Sequence, residues 1–72
     1  MTSGDLFIKR LRSALNEAGM TQKDLARVLG LDCSTVNGWC RGRYMPNAAY
    51  LPTICRTLCI SADWLLGLEI EE

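Results

Sequence analysis

Four cysteines and a short run of small polar residues are the side chains of this 72-residue chain with evident chemical capacity. The thiols Cys33, Cys40, Cys55 and Cys59 are spaced C-x6-C and C-x3-C. Structural zinc sites use tighter C-x2-4-C pairs, and histidine, the other common ligand, is absent. No metal and no other cofactor is expected, and nothing marks the chain as secreted, so the thiols read as reduced. Cys55 and Cys59, four apart, read as small hydrophobes on one helix face. Catalysis finds no footing either. With no histidine, no nucleophile elbow, no glycine loop for phosphates and only scattered acids, no enzyme is expected. What is left is recognition chemistry: Ser34 and Asn37, one helical turn apart, offer a hydroxyl and an amide that both donate and accept.

The formal net charge is zero, which by itself speaks against an anionic partner, yet the charges are segregated. All eight bases (Lys9, Arg10, Arg12, Lys23, Arg27, Arg41, Arg43, Arg56) fall within 1–56 beside four acids, a net +4. Residues 57–72 carry four acids and no base, a net −4. A molecule with one anion-facing side and one averted side would show this pattern. Lys9, Arg10 and Arg12 need no such partner, because a solvated helix face accounts for them. No apolar run approaches the roughly 20 residues of a membrane span, and the N-terminus lacks the regions of a signal peptide. A soluble, cytoplasmic protein without a membrane partner is expected.

These groups need a scaffold. From Asp5 to Ala18, apolar Phe7, Ile8, Leu11, Ala14, Leu15 and Ala18 recur at three- and four-residue intervals opposite Lys9, Arg10, Arg12 and Glu17, an amphipathic helix that Gly19 ends. Thr21 and Asp24 read as a capping box opening a second helix, Gln22 to Leu29, with Leu25, Ala26 and Leu29 inward. Gly30 closes it, Leu31 is available to plug the turn, and Asp32 is placed to cap a third helix, Cys33 to Cys40. That helix should turn Val36, Trp39 and Cys40 inward and Cys33, Ser34, Asn37, Gly38 and Arg41 outward. A three- or four-residue linker containing glycine is what a helix-turn-helix requires. Asn37-Gly38 lacks the alternating apolar flanks of a hairpin turn. Glycine within a helix costs about 1 kcal/mol relative to alanine, so Gly38 either marks a close approach to another surface or is merely tolerated.

The glycine and proline of Arg41 to Pro46 mark a loop. Asn47 can cap a fourth helix through Leu58, unless that helix starts nearer Leu51 and takes Pro52 into its first turn. A short fifth helix, Ala62 to Leu66, follows Ile60 or Ser61 and is stopped by Gly67. The expectation is one all-α domain of five short helices spanning 1–72, since a chain this short supports a single core.

Taken in order and spacing, Gly19-Met20-Thr21-Gln22, Leu25-Ala26, Leu29-Gly30-Leu31, Ser34-Thr35-Val36, Trp39, Arg41-Gly42, Pro46, Leu51, Leu58, Ile60-Ser61 and Asp63-Trp64-Leu65-Leu66 resemble the lambda-repressor and Cro-like helix-turn-helix family, often called XRE. The resemblance runs from Phe7 to Gly67. It implies a sequence-specific DNA-binding regulator, a phage- or bacterial-type repressor, whose helix 33–40 enters the major groove of double-stranded DNA. It puts base reading on Cys33, Ser34, Asn37 and Gly38, and phosphate contacts on Thr21, Gln22, Arg41, Arg43 and Tyr44. Asn37 leads the readers, because an amide pairs bidentately with adenine.

Three departures stand out. Asp32 sets a negative charge near the DNA backbone, and Cys33 and Gly38 bring little hydrogen-bonding capacity to reading positions. Leu15 and Cys40 stand where relatives often carry an arginine–glutamate pair; both partners are replaced by apolar groups together, so the two residues should meet.

The resemblance also implies a homodimer seamed by Trp64, Leu65, Leu68 and Ile70, although these residues could instead complete the monomer's core. No small-molecule substrate is implied. The rival reading is a protein-binding module on the same scaffold, an antitoxin or anti-repressor, which zero net charge and the sparse reading set favour.

Overall fold

A computed structural model describes residues 3–68. Five helices form, α1 (Ser3–Glu17), α2 (Gln22–Leu29), α3 (Cys33–Cys40), α4 (Leu51–Leu58) and α5 (Ala62–Leu66), with a 3-10 turn at Ala48–Tyr50 before α4. Among the described residues there is no strand. The apolar periodicity read from the sequence becomes one core: Phe7, Leu11, Ala14 and Leu15 from α1, Leu25 and Ala26 from α2, Val36, Trp39 and Cys40 from α3, Ile54 and Leu58 from α4, and Leu65 from α5. Leu15 and Cys40, the pair standing where charges were expected, are both buried in it. Packing joins α2 to α3, seats α3 on α1, and brings α5 back against α1.

Helix ends follow a shared device. After α1 the Met20 N–H donates to the Leu15 carbonyl at 3.0 Å, after α2 Leu31 donates to Ala26 at 2.9 Å, and after α4 Ile60 donates to Cys55 at 2.9 Å. Each such bond satisfies a carbonyl the helix leaves unpaired, and needs a left-handed residue just before the donor. Gly30 (φ 71°) supplies it after α2, whereas after α4 the residue is Cys59 (φ 57°), the one non-glycine with positive φ among the described residues. Cys59 therefore lies beyond α4 and is exposed, and it does not share a helix face with Cys55 as the four-residue spacing suggested.

Other boundaries shift modestly. α1 begins at Ser3, two residues earlier than expected. Both readings of the fourth segment hold in part: Asn47 does cap, its side chain accepting the Ala49 N–H at 2.9 Å, but it caps the 3-10 turn. The α-helix then starts at Leu51, with Pro52 in its first turn, where a missing N–H costs nothing. The Tyr50 ring from this turn lies 6.2 Å from the Trp39 ring, tying the turn to α3.

Two expectations at the C-terminal end need correction. Leu65 is fully buried within the monomer, so it is unavailable to a dimer seam; α5 packs directly on α1 and takes this leucine inward. Arg10 does not merely decorate a solvated face. It is half-buried, its guanidinium stands 5.0 Å over the Trp64 ring, and its Nη1 donates to the Trp64 carbonyl, so it clasps α1 to α5. Trp64 is half-buried beneath it, Leu68 is 62% exposed, and Ile70 lies outside the described residues.

Candidate nucleic-acid interface

The supporting helix of the pair is fixed at both ends. The Thr21 hydroxyl accepts the Asp24 N–H at 3.1 Å, and the Asp24 carboxylate accepts the Thr21 N–H at 3.0 Å, the reciprocal capping box the sequence announced. The backbone donor on Asp24 comes first among the influences that hold its pKa below the ordinary 3.8, and Arg27 and Lys23 add to it. Leu31 packs against the core behind Gly30, plugging the turn as its position suggested.

α3 is anchored from below by Val36, Trp39 and Cys40, each no more than 2% exposed. Its other edge carries Cys33 and Ser34, both exposed, and Asn37, half-exposed. Asp32 occupies the N-cap position with extended backbone, but its side chain makes no cap hydrogen bond, contrary to expectation. Carboxylate and helix start are left to solvent.

Asn37 does not stand alone. Its Nδ2 donates to Gln22 Oε1 at 2.9 Å, joining the first residue of α2 to the middle of α3. One residue expected to read bases and one expected to hold phosphate thus form a single polar unit, with Gln22 orienting the Asn37 amide. A shallow hollow lined by Arg12, Asn16, Met20, Thr21 and Gln22 opens beside it, and Thr21 is exposed at its rim.

Gly38 is corrected. It was expected exposed on the outward face, but on that face it is covered and buried. The Tyr44 ring covers it so closely that a Cβ added at this glycine would fall 2.4 Å from Tyr44 Cζ and Oη. The Tyr44 hydroxyl donates to the Ser34 carbonyl over a long 3.5 Å. Of the two sequence readings of this glycine, close approach to another surface is the one realised. The helix cost of glycine was the signal, although it did not name the approaching residue.

Arg41 and Arg43 are exposed on the loop leaving α3. The loop is held in two ways: the Arg43 N–H donates to the Gly38 carbonyl at 2.9 Å, and Ile8 of α1 packs so near Gly42 that a Cβ there would lie 2.5 Å from Ile8 Cδ1. The two guanidiniums therefore leave a fixed backbone.

Among the described residues no group of three or more histidine, cysteine or acidic side chains is gathered to hold an ion. No two cysteines are bonded, and burial pushes the Cys40 and Cys55 thiols up, which favours their protonated form. No helix among the described residues is long and apolar enough to cross a membrane.

Comparison with known proteins agrees with this architecture. No match was found among curated proteins or among solved structures. The model of the helix-turn-helix family matches residues 11–65, from the middle of α1 to the buried leucine of α5, well over half of the chain. With α2, the Gly30 turn and α3 at its centre, the chain belongs to the lambda-repressor and Cro-like helix-turn-helix family of DNA-binding regulators.

Proposed function

We propose that this protein is a sequence-specific transcriptional regulator, acting in the cytoplasm as a repressor of the phage or bacterial kind, that lays α3 in the major groove of duplex DNA. The observation that carries this reading is the small, polar edge of α3, with Cys33 and Ser34 exposed and Asn37 half-exposed, set on an apolar base and of a size that a groove about 12 Å wide admits. Asn37, oriented by Gln22, is the principal base reader; Ser34 and Cys33 flank it. Thr21 and Gln22 at the start of α2 meet the backbone on one side, and Arg41 and Arg43 beyond α3 meet it on the other. The family is one of DNA-binding regulators and not of enzymes, which supports a binding role over a catalytic one.

A two-fold dimer would set two copies of α3 about 34 Å apart, one turn of DNA. Its seam would use exposed Leu68, the free edge of Trp64 and Ile70, but not Leu65. Sedimentation over a range of concentrations tests this, and a species that stays monomeric both at high concentration and on DNA refutes it.

The DNA reading is tested by titrating salt against binding to a random duplex. Affinity should fall steeply with salt, and replacing both Arg41 and Arg43 with alanine should flatten the log–log slope by about 2, one unit per lost phosphate contact. An unchanged slope in that double variant removes the arginine clamp. Absence of binding to any duplex at low salt removes the reading altogether.

A further inference from the structure

We propose that Tyr44 is a specificity-determining residue: its ring, seated on Gly38, forms part of the surface that α3 turns to the base pairs and contacts the C5-methyl of a thymine. The inference rests on the reading of α3 as the groove-entering helix and assigns chemistry to the half of its outer edge that the sequence leaves blank. Ser34 and Gly38 lie four residues apart, one turn, on the same edge. At Gly38 there is no side chain to read with, yet the space is filled, because Tyr44 Cζ, Oη and Cε1 all crowd the position a Cβ would take.

Two features fix what this ring can recognise. It belongs to the outer face and not the core, since Tyr44 remains 50% exposed while the glycine beneath it is covered. Its hydroxyl lies over α3 and is directed at the Ser34 carbonyl, so it does not reach away from the loop as a phosphate clamp would. What the ring offers outward is therefore mostly carbon. Among the edges that base pairs expose in the major groove, the one apolar feature is the thymine methyl. Glycine at position 38 is then the seat of the reader and not a reader itself. The backbone bond from Arg43 to the Gly38 carbonyl, with Ile8 against Gly42, holds the loop from which the ring leaves.

The test begins with a duplex selected from a random library by the wild-type protein, in which each thymine is replaced in turn by deoxyuridine, which lacks only the methyl. Wild-type binding should weaken about fourfold at one or two positions, the loss expected for one methyl no longer buried. Tyr44→Phe should keep that sensitivity. Tyr44→Ala should bind the thymine and deoxyuridine duplexes equally at those positions while melting within a few degrees of wild type, as its exposure allows. Gly38→Ala, which must push the ring aside, should lose the sensitivity in the same way. The proposal is overturned if no single deoxyuridine weakens wild-type binding. It is equally overturned if Tyr44→Ala weakens selected and random duplexes alike and keeps every deoxyuridine response, because that is the behaviour of a phosphate contact. Failure of the wild type to bind any duplex would instead bring down the reading of α3 beneath it, so the two failures are told apart.

Discussion

α2 and α3 are neighbours of equal length, eight residues each, and they are finished in opposite ways. α2 carries charges on its outer side, a reciprocal capping box at its start and a left-handed glycine at its end. α3 has no charged residue, no side-chain cap at its start and a glycine in its interior. α2 adds local bonds of its own to its packing, whereas α3 lacks them and depends on what lies beneath and beside it. The difference is what separates a support from a presented element: local closure suits the first, and an edge of small uncharged side chains suits the second.

The largest expected effect follows from that dependence. Trp39 is 2% exposed, packs against Tyr50 and anchors the apolar side of α3 in the core. Trp39→Ala should cost about 3–5 kcal/mol, a large share of the stability of a domain this small. Thermal or denaturant melting checks it, and a loss below about 1 kcal/mol would show α3 to be held otherwise.

The two helix starts give a sharper contrast. Thr21→Ala removes the hydroxyl that accepts the Asp24 N–H, one side of a working cap, and should cost about 1 kcal/mol, while Asp32→Ala, where no cap bond exists, should change stability by no more than a few tenths. Acid probes the same contrast. The Asp24 pKa is depressed in the folded state by the Thr21 N–H, so its contribution to stability is whole above the ordinary value of 3.8 and fades as pH falls through the lowered one. Stability should decline over that acid window in the wild type and decline less in Asp24→Asn. Equal acid sensitivity in the two proteins would show that the cap carboxylate is not the group responsible.

The limits of the pair were legible in the sequence because each is marked by a residue with a local reason to be there: Thr21 and Asp24 at one end, Gly30 and Leu31 in the turn. The core face of α3 was legible from spacing alone. What could not be read depends on distant partners or on a choice of rotamer. Asp32 sits at the cap position, but whether its carboxylate folds back is decided by surroundings that spacing does not describe. The clasp from Arg10 to Trp64 spans 54 residues of chain, and a basic residue on a helix face looks the same with or without it. Leu65 and Leu68 are equally apolar in sequence, yet α5 is a five-residue helix ended by Gly67, so three positions place one leucine in the core and the other outside. Gly38 left open either a close approach or mere tolerance, and only the path of the loop beyond Gly42 decided between them and identified Tyr44. Of the candidate site, then, the positions were readable and the couplings, Asn37 with Gln22 and Gly38 with Tyr44, were not.

The smallest effect separates stability from function at a single residue. The Asp32 carboxylate contributes no cap bond to α3 and stands at the end that would approach the sugar–phosphate backbone, so its charge should oppose DNA while doing little for the fold. A unit charge about 8 Å from a phosphate in water interacts by about 0.5 kcal/mol. Asp32→Asn should therefore tighten DNA binding about two- to threefold at low salt, an advantage that shrinks as salt screens the pair. Its melting temperature should remain within a few degrees of wild type. Titrations of both proteins against one duplex at two salt concentrations measure this directly. If Asp32→Asn instead weakens binding, or destabilises the fold as Thr21→Ala does, then the start of α3 is closed after all and the contrast between the two helices fails at its sharpest point.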